Sequence, residues 1–182
     1  APASLDEHKK RWPAFFAGAT HGLKSYQTTT CGLHVHASRR PLSTLQIGRV
    51  VCFVNSEFNR KFVETIAQRP SGQWARIWDK KLADGHKTNE SKYEAVNLRK
   101  RGTIEFRIFK GTLRPSSFYK SLEFVSALIQ FTAPASRSLN ESLDHHAFIE
   151  FVRQERKSFP FLNSFVHKKS LSTSATSNKG EE

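Results

Sequence analysis

Only two cysteines, Cys31 and Cys52, occur in 182 residues, and they form no Cys-x-x-Cys pair. Neither a disulfide framework nor a thiolate zinc site is indicated, and a reducing, cytoplasmic setting is the expectation. Acidic residues are also scarce, with 16 Asp and Glu against 29 Lys and Arg for a net charge of +13. The resulting positive field favours polyanions or phosphate-bearing ligands, nucleic acid among them, although a basic protein with no such partner has the same composition. No apolar run approaches the roughly 20 residues that a membrane span requires, so no membrane partner is expected. No charged-then-apolar signal segment opens the chain either. The first residue is Ala1 rather than methionine, which leads to the expectation of processing or of a segment from something longer. The length suits one domain with a real core.

Pattern divides the chain into three parts. Residues 1–30 hold Pro2, Pro13, Gly18, Gly22 and the run Thr28-Thr29-Thr30 around Trp12, Phe15 and Phe16, which predicts one short helix and a loop. Residues 31–157 form the main domain. There Cys31, Leu33, Val35 and Ala37 alternate with His34, His36 and Ser38, predicting a strand with one packing face and one imidazole-bearing face. Two amphipathic helices are expected next, one with Leu42, Leu45, Val50, Phe53 and Val54, the other with Phe58, Phe62, Val63 and Ile66 facing the core. Residues 68–90, with Pro70, Gly72, Gly85 and many charges, read as an exposed basic excursion anchored by Trp74 and Trp78.

Two strands follow, Tyr93 to Leu98 and Thr103 to Phe109, joined by Arg99-Lys100-Arg101-Gly102. In the second, Ile104, Phe106 and Ile108 alternate with Thr103, Glu105 and Arg107. Pro115-Ser116-Ser117 starts a helix carrying Phe118, Leu122, Val125, Leu128 and Ile129. Ser138 and Glu141 have capping-box spacing for a last helix running to about Arg156. Residues 158–182 are an extension, and the Ser, Thr, Asn and Lys tail from about residue 170 predicts disorder.

His34 and His36 on one strand face stand about 7 Å apart, given a rise of roughly 3.3 Å per residue. They can share a metal or line one site, or be two polar residues on a solvated face. Glu105 and Arg107 can bind a cation and grip a phosphate or carboxylate, or make an ion pair worth little. If both strands belong to one sheet, the four residues converge within a ring of cations: Arg39, Arg40, Arg99, Lys100, Arg101, Lys110 and Arg114. That combination suits a nucleotide with bound cations.

The stretches CGLHVHASRRPL, LQIGRVVCFVNSEFNRKFVETIAQR and YEAVNLRKRGTIEFRIFKGTLRPSSFYKSLEFVSALIQF resemble the amidoligase family. This group of carboxylate-amine ligases is related to glutamine synthetase and glutamate-cysteine ligase. The resemblance runs from about Trp12 to Thr132, and it rests on the ordered pair His-x-His then Thr-Ile-Glu-Phe-Arg. It implies an α+β fold with a curved antiparallel sheet, helices packed on one of its faces, and ATP with magnesium or manganese on the concave face. It also implies an acyl phosphate attacked by an amine, the carboxylate and amine coming from small molecules, a peptide or a protein. By motif position, His34, His36 and Glu105 look like metal ligands and Arg107 like the phosphate-stabilising arginine, so that Glu105 and Arg107 are the catalytic pair. Arg107, Lys110, Asn97 and Arg39 look like nucleotide-binding residues. Nothing before Cys31 matches the family's Gly-x-Glu-x-Glu strands, so the chain reads as a partial or inactive member.

A rival reading uses the same histidines. His-hydrophobic-His marks nucleases that start rolling-circle replication, whose nucleophilic tyrosine is followed four residues later by lysine. Here Tyr26, Tyr93 and Tyr119 are followed at that distance by Thr30, Asn97 and Glu123. A third reading is a non-catalytic nucleic acid binder using Arg99 to Arg101 with Trp74 and Trp78.

Overall fold

The computed structural model describes residues 3–18, 22–23, 25, 31–80, 82, 87, 91–133 and 143–169. Among these, the chain is α+β, with six helices and one three-stranded antiparallel sheet. The helices are α1 (Leu5–Gly18), α2 (Thr44–Asn55), α3 (Arg60–Ala67), α4 (Pro115–Phe131), α5 (His145–Gln154) and α6 (Pro160–Lys168). The strands are β1 (Gly32–Ser38), β2 (Val96–Asn97) and β3 (Thr103–Lys110), in the order β1-β3-β2. No described helix is long and apolar enough to cross a membrane.

The alternation in β1 has the expected consequence. Val35 is buried, Leu33 and Ala37 are half-buried against the core, and His34 is exposed. In β3, Ile104 and Phe106 are fully buried. Strict alternation then fails, because three steps of β3 (Phe106 to Phe109) oppose two of β1 (Val35 to Leu33). The extra residue is a β-bulge, and both Ile108 and Phe109 end up buried. The expected Tyr93 to Leu98 strand is regular only at Val96 and Asn97. Just before it, the backbone divides its hydrogen bonds. Ala95 accepts from Arg107 N–H at 2.9 Å and donates to Arg76 O at 2.8 Å, while Tyr93 O accepts from Arg76 N–H at 2.8 Å.

Ser43 caps α2, its hydroxyl accepting from Gln46 N–H. The helix buries Ile47, Val50, Val51, Phe53 and Val54. Leu45 is only half-buried, because the buried face runs through Ile47 and Val51 instead. α3 ends on Gln68 at φ 56°. Phe62, Val63 and Ile66 are buried as expected, but Phe58 is 63% exposed and precedes the helix. It packs beside His145 and His146 instead of entering the core. The cap of α5 is Asp144, whose carboxylate accepts from Ala147 N–H at 2.8 Å. Ser138 and Glu141 lie outside the described residues, as do Thr28 to Thr30 and the tail from residue 170.

α4 is buried nearly all round. Tyr119, Lys120, Ser121, Glu123 and Phe124 are inside, whereas Leu122 and Ile129 are half-buried. Its coverage comes from partners that sequence periodicity does not reveal. α6, beyond the expected end of the main domain, seats Leu162 and Val166 in the core. α1 lays Trp12 and Phe16 against Phe118, with centroids 4.9 and 5.3 Å away. At the centre, the Phe148 ring lies 5.2–5.8 Å from those of Phe53, Phe62, Phe124 and Phe131. Such tilted and edge-to-face pairs each add about 0.5–1.5 kcal/mol beyond area burial.

Candidate functional site

The register that aligns β1 with β3 puts His36 opposite Glu105, and β2 brings Asn97 opposite Glu105 from the other side. Glu105 therefore stands at the middle of the sheet's polar face. Its Oε1 lies 2.8 Å from Arg107 Nη1, 3.0 Å from His34 Nδ1 and 3.8 Å from His36 Nε2. Arg107 Nη1 is also 3.5 Å from His34 Nδ1. The bulge after Phe106 lies next to Arg107, where the ladder is free to bend. The four residues singled out from two distant motifs thus meet on a single carboxylate oxygen.

Burial is graded across the cluster. The Glu105 and Arg107 side chains are 10% and 15% exposed, and those of His34 and His36 are 36% and 38% exposed. A charged pair sits at the floor with two imidazoles at the rim. Arg107 Nε is buried without a hydrogen-bond partner, an unmet donor at the floor of a polar site. His34 has its pKa held below the ordinary histidine value, first by burial and then by the Arg107 guanidinium; the Glu105 carboxylate opposes both. A neutral imidazole at the rim keeps a lone pair for a cation or a proton.

Two further residues stand beside the cluster: Arg69, which sequence reasoning did not single out, and Tyr93, which it weighed only as a nuclease nucleophile. Arg69 follows the left-handed Gln68 cap of α3 and reaches over Gly32, where an added Cβ would stand 2.9 Å from Arg69 Nη1. A side chain at position 32 would push the Arg69 guanidinium aside. Burial first, and then Arg107, lowers the Arg69 pKa. Tyr93 lies beside the guanidinium of Arg107, 6.0 Å from ring centroid to Cζ.

The secondary candidates lie elsewhere. Asn97 is buried, but its amide donates to Lys92 O and its carbonyl accepts from Arg99 N–H, so it braces the loop. Arg39 lies past the end of β1, its N–H donating to Gly102 O, and is not among the groups contacting Glu105. Lys110, opposite Gly32 in register, lines a separate cleft of about 530 Å³ with Gln68, Thr112, Arg114 and Ser117.

Carboxylate and imidazole suit a divalent cation in kind. Among the described residues, however, no group of three or more His, Cys, Asp or Glu side chains is arranged to hold a metal. The oxygen that His34 and His36 approach is already met by Arg107. With Arg69 and Arg107 against Glu105 alone, the local balance is positive and favours an anion. No protein-family model, curated protein or solved structure matches the chain.

Proposed function

We propose that the chain is the sheet-and-helix portion of an ATP- and magnesium-dependent carboxylate-amine ligase of the amidoligase type. The observation that carries this reading is the convergence of His34, His36 and Arg107 on Glu105. A curved sheet like that of glutamine synthetase belongs to the same proposal. Arg107 is the phosphate-gripping group: its unmet Nε and its neighbour Arg69 give it capacity for an anion beyond Glu105. Moving Arg107 onto a phosphate releases Glu105 Oε1 towards His34 and His36, so that anion binding and cation binding favour each other. Magnesium would come with the nucleotide, its phosphates supplying most of the ligands and Glu105 the protein carboxylate, and would neutralise phosphate charge as it develops. Calorimetry of the full chain with magnesium and ATP tests this. The expected result is binding that falls at least tenfold in both Glu105→Ala and Arg107→Ala; equal affinity in both variants and wild type would refute it.

The replication-nuclease reading draws on one observation, the position of Tyr93 beside Arg107. The hydroxyl of Tyr119, by contrast, is buried without a partner. That reading requires a covalent adduct between Tyr93 and single-stranded DNA under magnesium or manganese, and mass spectrometry showing none rejects it.

A further inference from the structure

The segment Trp74-Ala75-Arg76-Ile77-Trp78 sits in the stretch expected to be an excursion pinned by its tryptophans. The structure reverses that expectation. Ala75 and Ile77 are buried at 3% and 7%, while Trp74 and Trp78 are 37% and 51% exposed, with Arg76 exposed between them. Burial alternates with period two, as in an extended strand. The backbone is held firmly: Arg76 bridges to Tyr93 and Ala95, Ile77 N–H donates to Ser71 Oγ, and Trp78 N–H donates to Asn55 Oδ1 at 3.0 Å. The indoles are therefore presented by a fixed edge, and their exposure does not come from loose packing.

Each aromatic in this strip carries a cation or another ring. Arg76 Cζ stands 5.9 Å from the Trp78 ring. The Trp74 ring meets Tyr93 edge-on at 5.1 Å, and Lys92 Nζ lies 5.0 Å from the Tyr93 ring. The only acidic residue from 74 to 80 is Asp79. Tryptophan is usually well buried, so two exposed indoles flanking an arginine on a rigid edge of a +13 chain need an explanation. Alternating aromatic and cationic groups are what an unpaired nucleic acid strand requires: rings for the faces of its bases and positive charges for its phosphates.

We propose that the exposed Trp74–Arg76–Trp78 edge, continued by Tyr93 and Lys92, is a stacking platform for single-stranded nucleic acid. Apart from Tyr93, which also lies beside Arg107, the strip uses side chains outside the Glu105 cluster, and it does not depend on ligase activity. Fluorescence anisotropy of a labelled oligothymidine titrated with the full chain provides the test. Binding should exceed that for a duplex of equal length and weaken with added salt. It should fall roughly tenfold or more in Trp74→Ala and in Trp78→Ala. Trp78→Phe, which keeps a stacking face, should retain most of it, and inorganic polyphosphate should compete poorly. The proposal is overturned by absence of binding, by wild-type affinity in the double alanine variant, or by polyphosphate competing as well as the oligonucleotide. A reading independent of variants is tryptophan emission from the unmodified chain, which saturating oligonucleotide should quench; unchanged emission overturns the proposal.

Discussion

Two carboxylates, Glu123 and Glu105, are both buried, and their surroundings differ in kind. Glu123 is sealed between three helices. From α4 its Oε1 makes an ion pair with Lys9 of α1 at 2.8 Å, and its Oε2 accepts from Leu162 N–H in α6 at 2.8 Å. Glu105 meets an arginine and two histidines on a sheet face whose rim is open. A buried charge whose partners are shut away ties elements together. One whose partners reach the surface can exchange them for a ligand. Both need compensation, since burying a charge alone is prohibitive.

Glu123→Ala should have the largest effect on stability. It strips the acceptor from a buried N–H and leaves Lys9, itself one-quarter exposed, without its counter-charge. A loss of about 3 kcal/mol in a urea titration is expected, with ligand binding to the Glu105 site preserved in the folded fraction. Glu105→Ala should cost less, about 1–2 kcal/mol from the stranded Arg107, while removing ligand binding. Equal stability losses in the two variants would erase the distinction.

A smaller effect separates the two carboxylates by pH. Burial raises the Glu123 pKa above its ordinary value of 4.5, although Lys9 and the Leu162 and Phe161 backbone groups pull the other way. The folded state then holds its proton more tightly than the unfolded chain. Its contribution to stability is complete below about 4.5 and is lost as pH rises through the folded-state value. Glu123→Gln should remove this part of the pH dependence, as measured by chemical unfolding from pH 4 upward, while keeping an acceptor for Leu162 N–H.

The smallest effect is local. His34 titrates below its ordinary 6.5, first through burial and then through Arg107. Its stabilising contribution is present above 6.5 and is lost as pH falls through the lowered value. By NMR, Arg107→Gln should raise the His34 midpoint and Glu105→Gln should lower it. Unchanged midpoints in both variants would show that His34 does not sense this cluster.

The contrast also explains what was legible in the sequence. His34, His36, Glu105 and Arg107 could be placed together because strand periodicity assigns each to a face, and each opposite face is cleanly apolar. The core half of β3 followed from the same alternation, until the bulge after Phe106 broke it. Glu123 and Lys120 were not legible, since a charged residue at helical spacing reads as solvent-facing unless its cover is known. Lys120 is 1% exposed and donates to Ile66 O and, at 3.3 Å, to Gln68 Oε1; burial brings its pKa down to about 8. Its cover includes the Phe165 ring of α6, a helix that the sequence reading did not separate from the C-terminal extension. Trp74 and Trp78 failed for the opposite reason. Tryptophan is expected to anchor, and its apolar neighbours Ala75 and Ile77, which actually anchor this edge, carry less signal beside it.

Thermal unfolding of wild type, Glu105→Gln and Glu123→Gln, each with and without magnesium and ATP, tests the central claim most directly. A ligand that binds only the folded state raises its melting temperature. The expected result is a rise in wild type and in Glu123→Gln, but none in Glu105→Gln. A rise of equal size in Glu105→Gln, or none in wild type, would contradict the assignment of Glu105 as the centre of a nucleotide site.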